Sequence, residues 1–280
     1  MKKIIAAIDG LKYSDSAVHY AVHLAQETNA HLVGVFLDDF TYHSYKIYEL
    51  VSKSGGVDEE KHKRLEIADQ QAREASVNNF SKACREASLN FSVHHDRNIA
   101  LHELLHESIY ADLMVIGNKE TLTHYEETIP TRFIRDLLSE VQCPVLVVPT
   151  KYKPLDKLVL LYDGQPSSVH AIRTFSSLFP ELKYLETEVI SVRESKGNQH
   201  VPDNRLMKEF MKRHFPQAYY TVLQGYADTE IPQKLKTQEG NILVVLGAYE
   251  RSRVSRWFRE SLADILMQEI DAPLFIAHSR

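Results

Sequence analysis

The sequence has little of several features that define whole classes of protein. Its 280 residues include two cysteines, Cys84 and Cys143, whose dissimilar surroundings favour two buried thiols over a disulfide or a redox pair. It has no basic excess, since 33 lysines and arginines against 38 acidic residues give a formal charge of −5. That balance argues against a general nucleic-acid binder. No apolar run approaches the roughly 18–20 residues that a membrane-spanning helix needs.

Other absences narrow the functional classes. The first residues resemble a signal peptide only briefly, because Asp9 interrupts the apolar run that begins at Ile4. The sequence lacks the nucleophile elbow of serine hydrolases and the phosphate-binding P-loop pattern. We therefore expect a cytoplasmic protein with neither a membrane nor a nucleic acid as partner. Its length allows two domains, each with its own core.

What the chain does contain is one series of three blocks, present twice in the same order. Such a repeat indicates a duplicated domain, so any site has to be examined in two copies. The matching blocks are 3–10 with 157–164, 113–117 with 243–247, and 143–148 with 272–277.

Each copy alternates short apolar runs with amphipathic stretches. This pattern predicts parallel strands joined by crossover helices, and the runs lack clean alternation because helices cover both faces. The sequence thus predicts an α/β fold with two similar open parallel sheets of five strands each. The predicted strands are 3–9, 31–37, 91–95, 113–117 and 145–149 in the first copy, and 159–163, 187–192, 218–224, 242–247 and 274–277 in the second.

The two copies differ most in length between their second and third strands. Asp9 and Gly117 are 108 residues apart, whereas Asp163 and Gly247 are 84 apart, so the first copy has about 24 extra residues. We place them in an enlarged segment, 38–88, that includes a long helix beginning after Asp58. The predicted domains are 1–150 and 155–280. The short linker between them predicts an intramolecular pseudo-dimer.

One edge of each sheet is the candidate site. Asp9 and Asp163 end the first strand of their copies, and Gly117 and Gly247 end the fourth. In an open parallel sheet, ligands bind at the carboxyl ends of the strands. A carboxylate there accepts hydrogen bonds from ribose hydroxyls, and a glycine loop that leads into a helix can bind phosphate through backbone N–H groups.

The Asp-Gly after the first strand, the Val-Ile-Gly at Gly117 and the Cys-Pro-Val-Leu-Val-Val-Pro that begins at Cys143 together resemble a tandem universal stress protein. The resemblance covers nearly the whole chain. It implies an adenine-nucleotide α-hydrolase-like fold. It also implies, in ATP-binding members, a loop of Gly, two residues, Gly, nine residues, Gly, then Ser or Thr.

Both copies depart from that loop at its second and third glycines. Glutamate adds bulk and negative charge where the backbone must approach phosphate, and proline removes an N–H group. Apolar neighbours complete each candidate nucleotide-binding set. The sets are Ala7, Asp9, Val35, Ile116, Gly117, Glu120, Pro130 and Thr131 in the first copy, the weaker one, and Leu161, Asp163, Leu246, Gly247, Glu250, Glu260 and Ser261 in the second.

The loops also differ in charge. Between Gly117 and Pro130, Lys119 faces three glutamates, which gives −2; between Gly247 and Ser261, four arginines face two glutamates, which gives +2. The second copy is thus the better candidate for a nucleotide. Glu260 is a candidate internal substitute for phosphate at the following helix N-terminus. Trp257 and Phe258 in the same loop favour packing against the other domain or a partner.

Two further groups of residues are candidate sites. His102 and His106 have the spacing of a two-histidine metal face, but no third ligand lies at a reliable spacing, so no metal site is predicted. Tyr42, Tyr45 and Tyr48 either line a pocket or form one helix face that packs on its own domain.

We read the chain as a non-catalytic binding or signalling protein of the universal stress type, with degenerate nucleotide pockets. No cofactor is predicted. The first alternative is an ATP-binding protein or slow ATPase that uses the second copy, with ATP or AMP and Mg²⁺. The second alternative is a small-ligand sensor that uses the first domain. The expected partners are the paired domains themselves, a second copy or another protein.

Overall fold

The computed structural model separates the chain into two compact units, Met1–Gln142 and Cys143–Arg280. It describes residues 2–37, 43–50, 58–96, 99–123, 125–194, 200–247 and 261–278. Within these ranges, every helix is too short or too polar to cross a lipid bilayer.

Strands and helices alternate in the first unit. In chain order they are β1 (Lys3–Asp9), α1 (Asp15–Thr28), β2 (His31–Leu37), α2 (Glu59–Glu86), β3 (Phe91–Asp96), α3 (Ala100–Ser108), β4 (Leu113–Gly117) and α4 (Arg132–Glu140). The strands pair in the order β3-β2-β1-β4, and every pair is parallel. These bounds confirm the predicted strands of this region to within a residue.

Helix starts in the first unit follow the local sequence signals. The Ser14 side chain accepts the Ala17 N–H at 3.3 Å, and the Asp58 carboxylate accepts the Lys61 N–H at 2.9 Å. Both residues satisfy N–H groups that a first helical turn leaves without partners.

Helix α2 accounts for much of the added length of the first copy. It has 28 residues and is anchored to the sheet at two points. The Phe80 ring lies over Gly34 of β2, so closely that a Cβ added there would be 2.7 Å from Phe80 Cε1. The Ser76 hydroxyl donates to the Gly10 carbonyl at 2.8 Å. The second contact places the middle of α2 beside the carboxyl end of β1.

The second unit repeats the alternation. Its elements are β5 (Val145–Val148), β6 (Lys157–Leu161), α5 (Pro166–Leu178), β7 (Glu186–Arg193), α6 (Asn204–His214), β8 (Tyr219–Gln224), α7 (Ala227–Lys236), β9 (Ile242–Gly247), α8 (Leu262–Glu269) and β10 (Leu274–Ala277). The strand order is β8-β7-β6-β9-β10-β5. The five strands from β6 to β10 are parallel.

Strand β5 lies in the second compact unit, where it runs antiparallel to β10, with Leu146 opposite Phe275. The sequence repeats place the domain boundary near residue 150, whereas the compact units meet after Gln142. The two boundaries differ by the segment that contains β5.

Candidate functional site

Asp9 lies at the carboxyl end of β1 and has no exposed surface. Its Oδ1 accepts the N–H groups of Leu11 at 2.8 Å and Lys12 at 3.2 Å, so the carboxylate shapes the turn that leads into α1. The Lys12 ammonium group donates to the Thr123 carbonyl and joins this turn to the loop after β4. The predicted meeting of the two strand ends is therefore present in the first unit.

Glu120 occupies the position of the second loop glycine and is turned inward, with 7% of its surface exposed. The backbone N–H groups of Thr121 and Leu122 donate to its carboxyl group. Burial raises the pKa of Glu120 to about 8, the charge of Asp9 adds to this shift, and Lys12 opposes it. The formal loop charge of −2 counts Glu120 as ionised, whereas this pKa keeps most of it protonated at pH 7.

Thr131 at the hydroxyl position serves its own helix. It is the N-cap of α4: its side-chain oxygen accepts the Ile134 N–H at 3.2 Å, and its hydroxyl donates to the Glu120 carbonyl. Thr131 is 1% exposed, and Pro130 before it is also buried. The hydroxyl that the family pattern assigns to a ligand therefore holds the loop to the helix.

Glu127 was not among the predicted site residues. Its Oε2 accepts the Arg132 N–H at 2.7 Å, at the first residue of α4. A helix N-terminus favours a negative group, and here the chain supplies its own carboxylate. Only the loop conformation brings this glutamate back to the helix, because a carboxylate five residues before the N–H it binds matches no helix-capping motif.

The apolar members of the first set are core residues. Ala7 and Val35 are opposite each other on β1 and β2, and Ile116 lies on β4. Each is at most 1% exposed. They support the sheet edge from within.

In the second unit, Asp163 is exposed, unlike Asp9. Its Oδ1 accepts the Gln165 N–H at 2.9 Å and the Ser168 hydroxyl at 2.8 Å. Leu161 and Leu246 are buried strand residues, as their first-copy counterparts are.

Ser261 forms a complete capping box at the start of α8. Its side-chain oxygen accepts the Asp264 N–H at 3.1 Å, and the Asp264 carboxylate accepts the Ser261 N–H at 3.2 Å. The Ser-x-x-Asp spacing could have predicted this pair. Glu250, Glu260, Trp257, Phe258 and the loop arginines lie outside the described residues.

The other candidate groups do not form a metal site in the described part of the chain. There, no cluster of histidine, cysteine and carboxylate side chains could hold a metal ion. His106 is exposed and its ring contacts Tyr110, while the His94 ring bonds to Glu107 at 2.6 Å.

The tyrosines of the enlarged segment do not share one buried face. Tyr45 is 5% exposed and packs against His43 and His62, with its hydroxyl buried and unbonded. Tyr48 is 67% exposed. Tyr42 lies outside the described residues.

An ionic cluster lies towards the amino ends of the strands in the second sheet, away from the candidate site at their carboxyl ends. Lys157 bonds to Glu188 at 3.2 Å and to Gln238 at 2.7 Å, and Thr221 donates to Glu188 at 2.6 Å. Burial acts to raise the pKa of Glu188, but these hydrogen bonds and the Lys157 charge lower it overall. The groups satisfy one another, so the cluster is structural.

The architecture, mostly parallel sheets flanked by helices with the candidate residues at strand carboxyl ends, defines the adenine-nucleotide α-hydrolase-like class. The profile of the universal stress protein family matches residues 1–149, more than half of the chain. The chain therefore belongs to the universal stress protein family.

Solved structures support the fold over both halves of the chain. A universal stress protein from Archaeoglobus fulgidus DSM 4304 has a TM-score of 0.71 at 14% identity, covering 99% of this chain and 98% of that one. A putative universal stress protein from Pseudomonas aeruginosa UCBPP-PA14 has a TM-score of 0.64 at 14% identity, covering 99% and 93%. A functionally unknown protein from Pseudomonas aeruginosa PAO1 has a TM-score of 0.62 at 14% identity, covering 99% and 92%. No curated protein matches the sequence.

Proposed function

We propose that this protein is a non-catalytic stress-response binding or signalling protein, with two universal-stress-type domains over about 1–150 and 155–280. In this proposal the first-domain crevice is closed to nucleotides by the chain's own acidic side chains. The observation that carries the proposal is the Glu127 carboxylate on the Arg132 N–H at the start of α4.

The neighbouring groups support the same conclusion. The N–H groups of Thr121 and Leu122 bind the Glu120 carboxyl group. The Thr131 hydroxyl is bonded at both its donor and its acceptor side. A phosphate would have to displace these contacts and also approach buried Asp9, whose negative charge opposes a polyanion. The loop is thus held in one conformation, which suits a surface that a partner recognises.

The second domain supports an alternative function, ATP binding or slow ATP hydrolysis. Asp163 is exposed at the carboxyl end of the first strand, where a ribose could reach it, whereas Asp9 is covered. This difference favours the second domain if either domain retains a nucleotide.

Calorimetric titration with ATP and Mg²⁺ tests both functions. We expect the Asp163→Ala variant to bind no ATP at concentrations up to about 1 mM. A dissociation constant of about 1 mM corresponds to a standard binding free energy of about −4 kcal/mol, so the titration detects binding of that strength or tighter. Binding that Asp163→Ala abolishes would assign a nucleotide to the second domain, and turnover in the same samples would make the protein an ATPase. Binding that survives Asp163→Ala but is lost in Asp9→Asn would refute closure of the first crevice.

A gain-of-binding variant tests the closure itself. Glu120→Gly combined with Glu127→Ala frees the N–H groups of Thr121, Leu122 and Arg132, so we expect measurable ATP affinity that the parent first domain lacks. Glu126→Ala combined with Glu140→Ala removes the same formal charge from two exposed positions and is the matched control. Equal binding by the two double variants would contradict the closure.

A further inference from the structure

The carboxyl end of β7 carries two polar side chains on one face of the second sheet. Ser191 and Arg193 are two residues apart and so point to the same side of the strand. Tyr162 lies next to Ser191, because its N–H donates to the Ile190 carbonyl at 2.9 Å, at the continuation of the β6–β7 register. The three side chains form one cluster, which we call the Ser191–Arg193 cluster.

This cluster lacks the hydrogen bonds that buried groups normally make. Ser191 is 1% exposed, and its hydroxyl has no hydrogen-bond partner. The Arg193 Nε is buried and also unbonded, while its Nη2 reaches the His200 carbonyl at 3.5 Å. An unsatisfied buried polar group costs about 1–3 kcal/mol, so two of them side by side require a reason.

Arg193 also has no ionic partner. Across the ranges that the structure describes, no carboxylate is within ion-pair distance of its guanidinium group. Arg193 is half-buried with its Nε covered, and charged groups that are withdrawn from water are normally paired or bind a ligand. A guanidinium group offers several N–H donors in one plane, which matches the two oxygens of a carboxylate or phosphate.

The start of α6 lies beside the same cluster. Pro202 lies against Gly164, where an added Cβ would be 2.7 Å from Pro202 Cβ. Asp203, the residue before α6, has a φ of 44°, and its side chain makes no capping hydrogen bond. The first N–H groups of this 11-residue helix therefore receive no hydrogen bond from the Asp203 side chain. The partial positive charge of a helix N-terminus also favours an anion.

The charges around the cluster affect the pKa of Tyr162. Burial raises the pKa of Tyr162, Asp203 and Asp163 add to the shift, and Arg193 opposes it. Both aspartates are exposed, so water screens their charges, whereas the Arg193 Nε is covered.

We propose that Tyr162, Ser191 and Arg193 line a binding site for the carboxylate or phosphate group of a small molecule, at the carboxyl ends of β6 and β7. The Arg193 guanidinium binds the anion, and the Ser191 hydroxyl donates a hydrogen bond to it. The site does not depend on the proposed function. Ser191 is two strands from Gly247, about 10 Å at the spacing of a sheet.

Thermal unfolding and calorimetry with inorganic phosphate and with malonate, at constant ionic strength, test this site. We expect a saturable rise of the unfolding midpoint with at least one of the two anions. Arg193→Gln and Ser191→Ala should each weaken that anion at least tenfold. Ser191→Ala should fold at least as well as the parent, because it removes an unbonded buried hydroxyl. Arg173→Gln removes an exposed positive charge from α5 and is the matched control.

The pattern of results identifies the chemistry or rejects the site. A response to phosphate alone assigns a phosphate group, a response to malonate alone assigns a carboxylate, and a response to both assigns a general oxyanion site. The proposal is overturned if neither anion shifts the midpoint. It is equally overturned if Arg193→Gln responds like the parent, or if Arg193→Gln and Arg173→Gln weaken the response to the same extent.

Discussion

Replacing Glu120 by glutamine is expected to stabilise the first unit at alkaline pH by at most about 5 kcal/mol, since each unit of the raised Glu120 pKa corresponds to about 1.4 kcal/mol. Glu120 is almost fully buried near Asp9, and its pKa is raised from 4.5 to about 8. Ionisation would place a second negative charge beside the first in a region with little water. Glutamine keeps the shape of the side chain and carries no charge at any pH.

The pH dependence has a definite sign. Between pH 4.5 and about 8, the folded protein holds a proton on Glu120 that the unfolded chain has released. The resulting stability is complete below pH 4.5 and declines as the pH rises to about 8, because the folded state binds more protons. Glu120→Gln should remove this decline.

Urea unfolding of the parent and of Glu120→Gln, repeated from pH 5 to pH 9, measures the effect. The two proteins should agree most closely at the acidic end and diverge towards pH 9. Glu126→Gln is the control, because this exposed glutamate of the same loop should leave the pH profile unchanged. Parallel profiles for parent and Glu120→Gln would show that Glu120 ionises normally in the folded protein.

Gly247→Ala is expected to destabilise the second unit by about 2–3 kcal/mol, in the range found for overpacked cores. A Cβ at Gly247 would lie 2.5 Å from the Ser167 carbonyl carbon and 2.6 Å from its oxygen. These are backbone atoms of α5, so the helix would have to move away from the sheet.

Gly117→Ala is the matched control at the equivalent position of the first copy. There a Cβ would meet nothing closer than Ser14 Oγ at 3.5 Å, which is an ordinary contact. We expect a change within about 1 kcal/mol, and the smaller entropy of the unfolded alanine chain favours a slight gain. Urea unfolding of both variants checks the pair. Equal losses would mean that this glycine has one shared role in the two copies.

The equivalent glycines Gly117 and Gly247 therefore have different surroundings, and the sequence repeat alone does not reveal this difference. The loop pattern of the family assigns both positions to phosphate. The structure shows that Gly247 is required by the close approach of α5, whereas Gly117 has room beside Ser14. Helix packing depends on elements distant in the chain, and no local pattern encodes it.

The sequence by itself determined the local elements and the family. Apolar runs predicted the strands, and a long helix was predicted after Asp58, whose side chain caps it, because capping acts within three residues. The repeated blocks placed Asp9 and Gly117 at one edge, since parallel strands end on the same side of a sheet.

The tertiary structure decided what occupies that edge. Glu120 lies 111 residues from Asp9, so its burial and raised pKa depend on a fold-wide approach. Glu127 reaches the Arg132 N–H only because the loop turns back on the helix. Strand β5 pairs antiparallel with β10 because backbone N–H and C=O groups bond to any strand of suitable position, whatever its sequence. The unbonded state of the Ser191 hydroxyl and the Arg193 Nε likewise depends on the fold, because tertiary packing decides which polar atoms are buried and which described groups come within reach of them.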